Sequence, residues 1–492
     1  MMSTKDRVFD AVDLFYEILD FSLPSAPFAL KSVSKIWHKN IAKYRFNLWI
    51  SVSLFDDPIT DDNKWDINET NIPQDLINGS RKVRINGFNY SDIIGLETIL
   101  GGFSQLQELD IDEYSPSFPL SCLQSIKTLT IRLDYSSFGQ KAMRFDGTKL
   151  ELMETLNIHT SYQIYQDMVE LPPNLTTLKV SGGDMILARD GKEYFPETLT
   201  RLDLCGIIGA PSIYTLPENL RWFKTYSGVI SIPPSVTSLH AGGKIEGIKY
   251  ENLHTLVLYD KQDCTFFNFR HITTLKISNK YAFNTINLPS TLTELDMAVD
   301  SYRPLRTQNL PYSLLLLRLA IQDTEYQPRF SKLPPRLRVL NMEYSNKDIA
   351  RSNDANLLID DFPDSLTELN ITCKDIKICQ GMLPQNLRSL SIQADLFMSP
   401  HSIPDSVTSL TIPLYSEIFE RNVLPNGLTY LQVNSMYETS NALKSYFPPS
   451  LIYIHCFNYK VRVTLPFEVK ELNDGGKCDN GRTLWKLLLH LI

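Results

Sequence analysis

Leu171-Pro172-Pro173-Asn174-Leu175-Thr176-Thr177-Leu178-Lys179-Val180 is the phrase that decides the architecture. Its grammar is an apolar residue, a proline, two further residues, a leucine, two residues, a leucine, one residue and an apolar residue. The same phrase begins again at Phe195-Pro196, Leu216-Pro217, Ile232-Pro233, Leu288-Pro289, Leu310-Pro311, Leu333-Pro334, Phe362-Pro363 and Leu383-Pro384. It returns at Ile403-Pro404, Leu424-Pro425 and Phe447-Pro448, and in degenerate form at Leu465-Pro466. Two copies keep the leucine spacing without the proline: Leu253, Leu256, Leu258 and Ile272, Leu275, Ile277. Three weaker copies precede them, at Leu106, Leu109, Ile111, at Ile126, Leu129, Ile131 and at Met153, Leu156, Ile158. About 18 units at a mean spacing of roughly 21 residues therefore run from Leu106 to Val469, and a period of that size marks a stacked repeat protein.

The last two apolar positions of each unit alternate with polar ones, which is the period of a short strand. The first leucine and the apolar-proline pair bring the preceding turn onto the same core. Proline fixes φ at about −65° and donates no hydrogen bond, so it belongs in that turn, before the strand ladder begins. One unit cannot bury its apolar edge alone; stacked neighbours make a continuous core and a parallel sheet. The spacing lies in the ~20–29-residue range of leucine-rich repeats. The predicted fold class is thus an α/β leucine-rich-repeat solenoid: a curved parallel β-sheet with a mostly irregular convex side, preceded by a small N-terminal helical module. At ~4.8 Å between strands, 18 units predict a sheet roughly 80–90 Å long. The commonest leucine-rich pattern puts an asparagine after each strand, but here that place holds Gly183, Ile207, Gly228, Asp300 and Met436, so no asparagine ladder is expected. Uneven spacing predicts bulges, chiefly around Asn346 to Asn356.

The phrase Leu288-Pro289-Ser290-Thr291-Leu292-Thr293-Glu294-Leu295, with Phe283-Asn284-Thr285-Ile286 before it, resembles the FNIP-type repeats of amoebae and their giant viruses. The resemblance covers the later half of each repeat, from about residue 171 to 470. Bacterial effector repeats have a similar Leu-Pro-x-x-Leu-x-x-Leu phrase, and the repeat alone does not choose between them.

Residues 8–50 do not fit the repeat. Leu14, Ile18 and Phe21 fall at i, i+4 and i+7, and Ala29, Val33 and Trp37 share a face of a second helix begun by Pro27. The segment resembles an F-box, the helical module that docks on the Skp1 adaptor of cullin ubiquitin ligases. Leu14-Phe15-Tyr16-Glu17-Ile18-Leu19 is similar to its opening motif, with Phe15 where that family usually has proline. Val33-Ser34-Lys35-Ile36-Trp37 is similar to its close, and Leu48-Trp49 to the pair that often follows. The resemblance implies adaptor binding through Leu14, Glu17, Ile18, Leu19, Val33 and Trp37. The other reading is a helical cap that shields the first repeat from water. Residues 51–80, with Asp56-Asp57 and Asp61-Asp62, read as an acidic connector, residues 81–475 as the solenoid and residues 476–492 as a C-terminal cap helix.

The 492 residues carry 48 Lys+Arg and 56 Asp+Glu, a formal charge of −8. That sign disfavours phosphate backbones and so nucleic acid as the main ligand. No apolar run approaches the ~18 residues of a membrane span, and no membrane partner is expected. The seven cysteines are scattered and form no C-x-x-C. Such usage suits reduced thiols in a cytoplasmic or nuclear protein. Metalloprotease, P-loop, nucleophile-elbow and dinucleotide motifs are all lacking, so neither an enzyme nor a cofactor is expected. Cys478-Asp479 matches the catalytic pair of effector ligases in letters only, because its spacing differs from theirs.

A binding surface is left. Side chains at the second and fourth positions after each first leucine point to the concave face. They make an acidic start at Glu108, Asp110 and Asp112, a neutral stretch at Ser389, Ser391, Ser409 and Thr411, and between them a basic-aromatic group of Lys179, Arg201, Trp222, Lys224 and Tyr226. An aromatic flanked by cations suits an acidic or phosphorylated peptide, against the alternative that these charges are merely solvated. The function read from the sequence is protein–protein interaction, as the substrate receptor of a Skp1–cullin–F-box ubiquitin ligase whose repeats bind the target. The alternative is a free-standing recognition scaffold.

Overall fold

The computed structural model describes residues 49–53, 64–66, 81–86, 100–103, 105–112, 123–133, 145–161, 163–165, 168–186, 194–208, 216–226, 232–242, 251–259, 270–278, 288–300, 310–322, 333–344, 362–398, 401–415, 424–436, 448–459 and 471–474. The helical module up to residue 48, the adaptor residues within it, the C-terminal cap and the segment Asn346 to Asn356 lie outside these residues. The chain divides into two units, Met1–Thr237 with Glu246–Ile248, and Ser238–Ile245 with Lys249–Ile492.

In the first unit the strands Lys82–Asn86, Glu108–Ile111, Thr128–Leu133, Thr155–Thr160, Thr177–Ile186, Arg201–Ile208 and Trp222–Thr225 pair successively and in parallel. Because every unit repeats one length of phrase, the pairing stays in register. Val83, Leu109, Leu129, Leu156, Leu178, Leu202 and Phe223 form one row with no exposed surface. Ile85, Ile111, Ile131, Ile158, Val180 and Leu204 form the next, equally buried. The sheet also starts earlier than the leucine phrase does. Trp49–Ser53 pairs with Lys82–Asn86 on one side and Lys64–Asp66 on the other, so strands occupy part of the stretch read as helix and acidic connector. Their brief alternation carries no Leu-x-x-Leu phrase and is flanked by aspartates, which hid it.

The second unit repeats the arrangement from Ser238–Ala241 through Glu294–Asp300, Glu368–Ile378 and Tyr430–Met436 to Glu471–Asp474, each strand parallel to the next. Register breaks fall between Thr372 and Asp375, and in the first unit between Val180 and Asp184. Among the described residues almost no helix occurs, as the lack of helical period in the repeats implies.

The proline turn and the residue before the first leucine explain why the phrase recurs. The leucine N–H donates to the proline carbonyl three residues back, as in Leu199 to Pro196, at 3.0 Å, and Leu314 to Pro311, at 3.1 Å. A residue that cannot donate thus supplies the acceptor that closes the turn. In several units a serine just before the first core residue then donates across to the first-leucine carbonyl of the previous unit: Ser235 to Leu220 at 2.7 Å, Ser313 to Leu292 at 2.6 Å, Ser406 to Leu387 at 2.6 Å. Asparagines at the same place donate to the carbonyl two residues earlier in the previous unit, Asn174 to Glu151 and Asn386 to Asp364, both at 2.9 Å. Buried backbone carbonyls between units need partners. This side-chain ladder, before the strand and not after it, supplies them where the usual asparagine is missing.

Candidate functional site

Strand alternation turns one row of side chains inward and the next outward, and the outward rows of the first unit are charged and aromatic. Direct strand neighbours place Arg201 beside Trp222, and place Lys179 next to Asp203 and Asp203 next to Lys224. The Arg201 guanidinium stacks on the indole of Trp222, 4.0 Å from its centroid. Lys224 Nζ lies 3.4 Å from Asp203 Oδ1 and 5.3 Å from the ring centre of Tyr226, which is 46% exposed. The five residues singled out by spacing therefore share one face on three adjacent strands. Trp222 is half-buried along the sheet, while Phe223 beside it is wholly inside.

Asp203 is the member that sequence reading passed over. It neutralises Lys224, so the cationic character of the face resides in Arg201 and Lys179, neither of which is in an ion pair among the described residues. A guanidinium over an indole can keep its N–H edge available for a planar anion, which a lysine ammonium cannot match.

The stretch read as an acidic start is corrected by its neighbours. Asp110 is buried between two arginines: Arg84 Nε donates to its Oδ2 at 2.8 Å, and Arg132 Nη1 to its Oδ1 at 2.7 Å. Arg132 also lies 3.7 Å from Asp112, and Lys82 3.1 Å from Glu108. Each of these three carboxylates lies against a cation, so together they do not form an unmatched acidic patch. Arg84 precedes the first recognisable leucine unit, which is why the pairing was not legible.

His159 follows on the same face, its Nδ1 2.6 Å from Ser181 Oγ. Burial lowers its pKa below the ordinary value, and the nearby Arg132 and Lys179 lower it further against the opposing pull of Asp110. A histidine depressed in the folded state contributes stability that is complete above its unfolded value near ~6.5 and is lost as pH falls through the lowered folded value. Between pH 7 and 5 the melting temperature of the wild type should therefore drop more than that of His159→Gln. Parallel drops in the two melts would remove His159 as the cause.

Residues 397–436 match the FNIP Repeat family. That segment takes in the unit built on Ile403-Pro404 and the start of the one built on Leu424-Pro425. No curated protein matches the chain. Among solved structures, CroV588, described as a novel circular LRR protein, aligns at 18% identity with a TM-score of 0.42, over 82% of this chain and 73% of that one. An LRR protein of Leptospira interrogans aligns at 15% identity and a TM-score of 0.34, covering 83% of this chain and 94% of its own. The Arabidopsis receptor kinase HAESA, solved with the peptide hormone IDA and the co-receptor SERK1, aligns at 13% identity and a TM-score of 0.27, over 83% and 78%. The chain is a parallel-strand repeat protein in which residues 397–436 match the FNIP Repeat family, and among its described residues no helix is long and apolar enough to cross a membrane.

Proposed function

We propose that the chain is a protein-recognition scaffold whose first-unit strand face captures an acidic or phosphorylated peptide segment of its target. The observation that carries this reading is Arg201 stacked on Trp222, with Lys179 one strand away and Lys224 already neutralised by Asp203. Such a face offers a rigid aromatic anchor and an oriented fork of donors, the combination most often found at the centre of binding interfaces. It supplies position, and bound partners supply any chemistry.

The finer reading is that residues 8–50 act as an F-box and deliver the captured protein to a Skp1-like adaptor of a cullin ubiquitin ligase. Its support is the pair of half-motifs around Leu14, Glu17, Ile18 and Leu19 and around Val33 and Trp37. The free-standing scaffold is the competing account. Purified full-length chain is expected to bind purified Skp1 at tens of micromolar or tighter, and Ile18→Asp with Trp37→Ala to abolish that binding. No binding by the wild type would leave the scaffold reading. Separately, Arg201→Glu with Trp222→Ala should weaken capture of a fluorescent phosphoserine- and glutamate-rich peptide at least tenfold, about 1.4 kcal/mol. Unchanged capture would move the target site off this face.

A further inference from the structure

The second unit contains a pocket of about 310 Å³ that the strand face does not use. It lies at the proline turns of three consecutive units, where Leu383-Pro384, Ile403-Pro404 and Leu424-Pro425 come side by side. Its apolar members include Leu383 and Ile403, both buried. Its polar groups are Gln380, Gln385, His401, Ser402, Asp405 and Asn426. Among the described residues no lysine or arginine lines it.

Two features mark this pocket as more than a crease between repeats. Ser402 is 2% exposed, and its Oγ has no hydrogen-bond partner, the sole such buried side-chain atom among the described residues. An unsatisfied buried hydroxyl costs roughly 1–3 kcal/mol, so native proteins keep one where something else completes it. The second feature is the backbone that puts it there. His401 has φ 58°, and Gly381 has φ 82° at the equivalent place one unit earlier. Both lie in the left-handed region that residues other than glycine seldom enter. Each stands three residues before the proline, so the same unusual turn is made twice, once with strain. Strained backbone of this kind gathers at ligand clamps.

The lining chooses the ligand. The Asp405 carboxylate, with no lysine or arginine among the described lining residues, disfavours an anion. Among the described residues no group of three histidine, cysteine or acidic side chains is placed to hold a metal ion. The amide oxygens of Gln380, Gln385 and Asn426, the Ser402 hydroxyl and the Asp405 carboxylate are all acceptors. Asp405 Oδ1 already receives the Asn426 backbone N–H at 3.3 Å, which leaves its second oxygen for a ligand. Dispersed acceptors around one negative charge, beside a few aliphatic side chains, complement a planar group with several N–H donors on an apolar stem. An ammonium, a compact and strongly hydrated point charge, would leave most of these acceptors unmet. We infer that this pocket receives an arginine side chain of a protein partner, its stem against Leu383 and Ile403 and its guanidinium on Asp405 and Ser402. This second site is independent of the acidic-peptide reading of the strand face and opposite to it in charge preference.

The test is titration of the full-length chain with N-acetyl-arginine methylamide, followed by isothermal calorimetry or NMR. The arginine probe should bind saturably. Its citrulline counterpart, which keeps the shape and loses the charge, should bind at least tenfold more weakly. Asp405→Asn retains the oxygen that Asn426 uses, so the variant should fold, and it should weaken the arginine probe at least fivefold. Equal binding of citrulline, failure of the wild type to saturate, or an unaffected Asp405→Asn would each overturn the assignment.

Discussion

Gly182→Ala should destabilise the first unit by about 2–5 kcal/mol, a sum of roughly 1–2 for the backbone conformation and 1–3 for overpacking. Gly182 has φ 92°, and a Cβ built on it would run into the carbonyl of Thr160 on the neighbouring strand. That carbonyl is part of the sheet, so relief requires one strand to move, whereas a flexible side chain would simply rotate away. The residue sits at the register break between Val180 and Asp184, where its N–H donates to Cys205 Sγ at 3.0 Å. Gly381→Ala in the second unit is the control. Gly381 has φ 82° but nothing within 4 Å of its Cβ position. Only the conformational part, about 1–2 kcal/mol, should therefore appear. Thermal or urea melts of the two variants separate strain from collision. Equal losses would mean that the strands at Gly182 yield freely.

Phe223→Ala should cost about 3–5 kcal/mol, whereas the adjacent Trp222→Ala should shift the melt far less. The two aromatics are neighbours in sequence and opposites in environment. Phe223 has no exposed surface and continues the row of Leu178 and Leu202. Its truncation leaves a cavity that close-packed, in-register neighbours cannot collapse into. Trp222 lies on the outward face, with Arg201 over its ring. It loses chiefly a cation–π contact of roughly 0.5–1 kcal/mol. If Trp222→Ala proved as damaging as Phe223→Ala, the indole would be a structural member of the face and its place at the centre of the target site would fall.

What could be read in the sequence follows from how the constraint is written. Leu106, Leu109 and Ile111 and their successors appear at fixed spacing because each unit must present the same apolar edge to the next. A repeated local demand leaves a repeated local mark. The same logic exposed Trp222 as outward-facing, since alternation along a strand needs no partner to be known. The serine or threonine before each leucine was visible as a letter of the phrase, but its work was not, because the carbonyl it serves belongs to the previous unit, as with Ser313 and Leu292.

The sequence by itself determined the parallel repeat, its core rows and the side of each strand that carries Lys179, Arg201, Trp222, Lys224 and Tyr226. Only the tertiary structure decided which charges remain available. Asp203 is matched to Lys224, and Asp110 to Arg84 and Arg132, each across neighbouring strands that are a full repeat apart in the chain. It also decided that Gln380, His401, Asp405 and Asn426, from three consecutive units, line one polar pocket with Ser402. The reason is the same in both cases: burial of an apolar row obeys a period within one unit, whereas the pairing of a charge or the completion of a hydroxyl depends on which side chain the neighbouring unit happens to place opposite it.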